Sequence, residues 1–220
     1  MATAQAERKR PDSVVAKGRP VETKKAIQAR ETQRLLLDVG RRLFARQGYA
    51  DTSIEDICAA TQMTRGALYH HYRGKEDLFR AVLEDVEQEL AQRVARKADA
   101  GSETADPWKV LEGGVVAFLN ESSDPVVQQI TVIDGPSVLG YRTLCDIDER
   151  FKSETLRHVL RRAIEAGEMG EQPVEPLARL LLAMLNEAAL AIAQADKPRV
   201  AKREVTAAVL DLLGGLRTTS

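Results

Sequence analysis

Residues 53–71 read SIEDICAATQMTRGALYHH, and their spacing decides the fold. Ser53 is a good helix N-cap, because a serine hydroxyl accepts one of the backbone N–H groups that a first turn leaves unpaired. Ile54, Ile57 and Cys58 then mark a short helix over 54–61. After a tight break at 62–63, Thr64 caps a second helix, 64–71, that carries Leu68. Two short helices joined in this way make a helix-turn-helix. Cys58 and Ala59 offer small side chains where the helices cross, and Ile57, Met63 and Leu68 offer an apolar inside. The second helix of such a motif enters the major groove of duplex DNA with its N-terminal residues toward the base edges. Thr64, Arg65, Gly66 and Ala67 occupy that end. Arg65 is suited to bidentate pairing with guanine O6 and N7, and Gly66 and Ala67 keep the surface thin. Tyr69, His71 and Lys75 fall where phosphates pass, each offering a donor.

Working outward, Leu35, Leu36, Val39, Leu43 and Phe44 share one face, which predicts a helix over 28–47 ending at Gly48. Downstream, Glu76 and Asp77 open a connecting helix over 75–97 with Leu78, Val82, Val86, Leu90 and Val94 on one face and Gly101 as its stop. Acids in a first turn suit the helix dipole. Further helices are expected near 107–121, 125–133, 141–166, 174–194 and 199–214, with Pro107, Pro125, Pro136, Pro173 and Pro198 at their edges. No alternating strand pattern or hairpin signal is present, so the fold class is all-α. The expected organisation is a disordered basic arm over 1–26, a helix-turn-helix DNA-binding domain over 27–75, and a helical ligand-binding and dimerisation domain over 76–220. The stretch AKGRP at 16–20 reads either as a solvated tail or as a hook for an A·T-rich minor groove.

The net charge of −1 conceals an asymmetry. Residues 1–75 hold 15 Lys/Arg and 8 Asp/Glu, whereas residues 76–220 hold 17 and 25. A basic front on an acidic rear suggests that only the front meets a polyanion. Two cysteines, Cys58 and Cys145, are too few for a disulfide framework and fit a reducing cytoplasm. No run approaches the length of a membrane span and no secretory signal is apparent, so no membrane partner is expected. His70 and His71 point about 100° apart on a helix and do not share a metal ion well. No catalytic constellation, metal site or cofactor is expected, and the chain does not read as an enzyme.

The run LLLDVGRRLFARQGYADTSIEDICAATQMTRGALYHHYRGKEDLF, 35–79, resembles the DNA-binding domain of TetR-type (TetR/AcrR) transcriptional regulators. By that resemblance, Thr52 and Ser53 contact phosphate at the start of the second helix. Thr64, Arg65, Gly66 and Ala67 read or approach bases, and Tyr69, His71 and Lys75 clamp the backbone. One departure is Gln62, where the family usually has glycine; a position needing positive φ strains a glutamine. VIDGPSVLGYRTLCDIDERF, 132–151, also looks like a segment of one common subgroup.

The resemblance implies a cytoplasmic bacterial homodimer, nucleoid-associated when bound to a palindromic operator, that responds to a small apolar or amphipathic effector, most simply as a repressor. The expected dimer interface is the last two helices, through Leu177, Leu181, Met184, Leu185 and Ala188 and through Val205, Ala208, Val209, Leu212 and Leu216. Trp108, Val115, Phe118, Tyr141 and Phe151 form the expected pocket lining, with Asn186 and Glu187 as polar members that serve either a ligand or the dimer interface. Two other readings are a redox-responsive regulator acting through cysteine and a non-specific architectural DNA-binding protein.

Overall fold

The computed structural model describes residues 23–218. The basic arm, including AKGRP, lies outside them up to residue 22. Thr23 caps α1 (Lys24–Gln47) by accepting from the Ala26 N–H, so this helix starts earlier than the apolar spacing alone predicts. It stops at Gly48, whose φ of 79° suits glycine. α2 (Ile54–Thr61) and α3 (Arg65–His71) follow. Between them Gln62 takes φ 56° and ψ 32°, the left-handed conformation that its departure from glycine made costly. Leu36, Phe44, Ile57, Leu68, Leu78 and Phe79 are fully buried and make the front end of the core, which fixes α3. Burying each such side chain stabilises the fold by about 1.5–3 kcal/mol.

α4 (Lys75–Lys97) joins the front and rear helices through one continuous core. It packs on α1, where Arg41 pairs with Glu89 at 2.8 Å, and on α5 (Pro107–Glu121). The short α6 (Pro125–Val127) runs through a π-helical stretch, Gln128–Asp134, into α7 (Gly135–Asp148). Here the sequence predicts two helices, 125–133 and 141–166; the chain instead resumes helix at Gly135 and breaks at Gly140, with φ 77° and ψ 157°. Gly135 lies at a close approach: a Cβ there would sit 2.9 Å from a terminal methyl of Leu83 and 3.3 Å from the Ile130 carbonyl, so Leu83 would have to shift to admit one. A second π-helical stretch, Glu149–Ser153, leads into α8 (Glu154–Glu165).

α9 (Val174–Ala193) and α10 (Pro198–Gly214) close the rear of the core. α9 is long and apolar enough to cross a membrane by length and composition. It is nevertheless packed as a core helix, burying Ala178, Leu181, Leu182, Leu185, Ala188, Ala189 and Ile192 against its neighbours. No strand occurs among the described residues, apart from one isolated bridge between Met169 and Arg217.

Candidate nucleic-acid interface and ligand cavities

Three caps build the front surface. The Ser53 hydroxyl accepts from the Asp56 N–H at 3.0 Å, and the Asp56 carboxylate accepts from the Ser53 N–H at 2.9 Å, a reciprocal capping box. The Ser53 hydroxyl and N–H hold the Asp56 carboxyl below its usual pKa. The Thr64 hydroxyl accepts from the Ala67 N–H at 3.2 Å and starts α3. Leu68 is buried beneath α3 and Tyr72 beneath its C-cap, so α3 keeps one face inward and turns the other out.

Arg65, Gly66, Tyr69 and His70 are all exposed on that outer face, with Arg73 just beyond it. His70 and Arg73 are absent from the sequence-based set, although the i, i+4 step from Gly66 to His70 places His70 beside Tyr69. His71 is half-buried, at the edge of the face, and Ala67 is half-buried under Thr64. Arg65 is ion-paired with Glu55 at the start of α2; both side chains are mostly exposed. Reaching a base therefore requires Arg65 to leave Glu55.

Besides Ser53, whose hydroxyl and N–H both donate to Asp56, two expected phosphate contacts have other partners. Thr52 is buried, and its hydroxyl donates to the Gly48 carbonyl at 2.7 Å, so it is not available to a phosphate. A threonine just ahead of an N-cap can serve either the turn or a ligand, and here the tertiary packing chose the turn. Lys75 donates to the Tyr49 and Ala50 carbonyls at 2.8 and 3.4 Å and lies 4.1 Å from the centre of the Tyr49 ring. Its ammonium anchors the 48–52 turn and keeps at most one free donor.

The same turn is held from the rear domain. Asp134 accepts from the Tyr49 N–H at 2.8 Å, and the Tyr49 ring packs edge-on against Phe79 at 5.0 Å. Tyr49 is thus gripped by α4 on one side and by the junction of the first π-helical stretch with α7 on the other.

Two of the cavities in the rear domain take in residues of the expected lining. The smaller, about 100 Å³, is apolar apart from Lys152 and Thr155, and Val115, Phe118 and Phe151 line it. The larger, about 540 Å³, is lined by Phe118, Tyr141, Asn186 and Glu187, joined by Glu87 and Asp148. Trp108 lines neither. It is buried, its indole N–H donates to Glu112 at 2.8 Å, and the Arg217 guanidinium lies 5.2 Å from its ring, so it anchors α5 to the C-terminal segment. Between the cavities Lys152 is enclosed, 2.9 Å from Glu87 and 2.7 Å from Asp148, and Asn186 donates to Asp148 at 2.8 Å. Burial opposes the Lys152 charge, but the two carboxylates outweigh it and raise its pKa above the ordinary lysine value. No cluster of metal-ligating side chains occurs among the described residues.

The expected dimer stripes divide. Leu181, Leu185, Ala188 and Val209 are buried in the chain's own core, and Leu177, Met184, Val205 and Leu216 are half-buried against it. Ala208 and Leu212 face outward, as do Leu180, Ala183 and Ala191 on α9. Apolar periodicity finds a buried face without saying which neighbour buries it, and α9 is apolar on more than one face.

A family model described as "Bacterial regulatory proteins, tetR family" matches residues 36–82, and one described as "Tetracyclin repressor-like, C-terminal domain" matches 108–216. The HTH-type transcriptional regulator SrpR of Pseudomonas putida is 30% identical over 151 residues, 66% of this chain and 67% of the relative. The chain belongs to the TetR family. A solved TetR-family regulator from Pectobacterium atrosepticum superposes with a TM-score of 0.77 at 30% identity, covering 90% of this chain and 99% of that one. The regulator AcrR of Shigella flexneri is 42% identical over only 65 residues, 30% of each chain. RolR, solved with its ligand resorcinol, shares the TetR fold with a TM-score of 0.67 at 19% identity, over 85% of this chain and 89% of that one. As a TetR-family protein the chain is a DNA-binding transcriptional regulator and not an enzyme.

Proposed function

We propose that this TetR-family chain acts as a homodimeric repressor released from a palindromic operator by a small amphipathic effector. The exposed face of α3 carries the DNA-binding half of this reading. Arg65, Gly66, Tyr69 and His70 project outward from a helix that Leu68 pins to the core. Arg65 reads a guanine after exchanging Glu55 for the base, Gly66 and Ala67 permit close approach, and Thr64, Tyr69, His70, His71 and Arg73 meet the backbone, whereas Ser53 acts through the cap it forms with Asp56. Lys75 acts chiefly through the turn it holds. One such helix covers few base pairs, so two are needed at half-sites about 34–36 Å apart. The outward residues Leu180, Ala183, Ala191, Ala208 and Leu212 supply the pairing surface.

The larger cavity supplies the effector site. Thr131, Val132 and Pro136 line it, and they flank Asp134, which grips Tyr49. A molecule seated there pushes on the segment that holds the DNA-binding domain. Moving the two-state balance from 1:99 to 99:1 requires about 5.5 kcal/mol of differential affinity. Selection of DNA from a random pool, footprinting of the product and light scattering test the reading. One protected palindrome bound by a dimer supports it. A stable micromolar monomer, or binding indifferent to sequence, refutes it.

A further inference from the structure

The larger cavity has a charge pattern that selects its occupant. Five carboxylates line it, Glu87 and Asp148 enclosed and Asp146, Glu149 and Glu187 at the exposed rim, against the single guanidinium of Arg179, which is also exposed. Neighbouring bases do not restore balance. Lys152 is shared between Glu87 and Asp148, and Arg157 is taken by Glu149 at 2.8 Å. Five acids against three bases leave the site negative. Lys152 offers no anchor to an anionic head, because its ammonium already lies between two carboxylates and borders the smaller cavity.

A second observation points to a missing polar partner. Ser122 lines the same cavity, is 4% exposed, and its hydroxyl has no hydrogen-bond partner. A buried hydroxyl is seldom left unpaired unless something else completes it. Leu90, Phe118, Val132, Ile147, Leu182 and Leu190 give the lining its apolar part, beside the uncharged polar groups of Thr131, Ser153 and Asn186. The volume of about 540 Å³ falls within the range of about 300–1,000 Å³ usual for small-molecule sites, whereas the smaller cavity at about 100 Å³ falls below it.

We infer that this cavity binds an amphipathic organic cation. Its apolar body lies against Phe118, Ile147 and Leu182, its positive head is set among Glu87, Asp148 and Glu187, and a hydrogen-bonding group reaches Ser122. The assignment deepens the effector reading above, but binding itself does not depend on any effect on DNA. Cationic heads are favoured twice, by the surplus carboxylates and by the Tyr141 ring at the cavity edge.

The test uses the full chain and three probes of one shape: naphthylmethyl-trimethylammonium, its neutral isostere neopentylnaphthalene, and the anion naphthylacetate. Calorimetry is expected to show the cation binding about tenfold or more tighter than the neutral probe, with the anion weakest. Asp146→Asn and Glu187→Gln should each weaken the cation several-fold and leave the neutral probe unchanged. Light scattering on Glu187→Gln separates loss of the site from loss of dimer, since Glu187 shares the outward face of α9; Asp146 lies on α7 and is free of that concern. Equal binding of the cation and the neutral probe, tighter binding of the anion, or no binding of any probe overturns the inference. Release of the selected DNA is measured separately. A cation that binds without altering DNA affinity refutes the effector reading and leaves the site assignment standing. A neutral or anionic probe that binds best and releases DNA does the reverse.

Discussion

The grip of Asp134 on Tyr49 can be weighed by removing it in steps. Its carboxylate accepts the Tyr49 N–H at 2.8 Å across 85 residues of sequence, in a partly buried setting. A hydrogen bond to a charged group contributes about 1.5–3 kcal/mol, and a neutral one about 0.5–1.5 kcal/mol. Asp134→Ala removes the acceptor and strands the amide, whereas Asp134→Asn keeps an oxygen without the charge. In a chain of this size each kcal/mol moves the melting temperature by about 2–4 °C. The alanine variant should therefore melt about 3–12 °C lower, and the asparagine variant by roughly half of that. Amide exchange read at Tyr49 should accelerate in the same order.

A control separates the contact from general weakening of the segment. The Asp124 side chain caps α6 by accepting from Val126 and Val127 and does not touch Tyr49. Asp124→Ala should cost about 1 kcal/mol as a lost cap, yet leave Tyr49 exchange near its wild-type rate. If Asp134→Ala melts with the wild type, or if Asp124→Ala speeds Tyr49 exchange equally, the direct link from cavity wall to DNA-binding domain is wrong.

Three other perturbations bear on the front surface and the buried charges. Arg65→Ala should cost about 1–3 kcal/mol of operator affinity and relax preference at one position of each half-site, while Glu55→Gln, by freeing Arg65 from an exposed pair, should tighten DNA binding by up to about fivefold; fluorescence anisotropy on selected and scrambled duplexes reads both. Gln62→Gly removes a left-handed glutamine at an exposed turn and should stabilise the fold by roughly 1 kcal/mol in a denaturant titration. Lys152→Met leaves Glu87 and Asp148 facing each other unpaired and should cost about 3–5 kcal/mol, most of it recovered when Glu87→Gln and Asp148→Asn are added; a single variant as stable as wild type would mean that water compensates those carboxylates.

The DNA-binding domain is legible in the sequence because each of its devices is local. Ser53 and Asp56, Thr64 and Ala67, and the turn at Gln62 involve residues no more than three apart, so spacing and residue type suffice. His70 belongs to the exposed face with Arg65, Gly66 and Tyr69, by the i, i+4 step from Gly66, a signal that is present in the spacing. Thr52 and Lys75 are different. Their side chains choose between a backbone carbonyl and a phosphate, and that choice depends on where the 48–52 turn is pressed. The rear domain hides more, because its meaning lies in contacts between distant helices. Glu87 on α4, Asp148 on α7 and Glu187 on α9 each look like solvated helix surface when read alone. Only packing brings them around one cavity, encloses a lysine between two of them and leaves the Ser122 hydroxyl without a partner. The same packing turns Leu185 and Val209 inward and Leu180 and Leu212 outward, a division that apolar periodicity does not carry. The residues of the α3 face are thus neighbours in the chain, whereas those of the cavity meet only through the crossings of helices, so the cavity lining can change without touching α3.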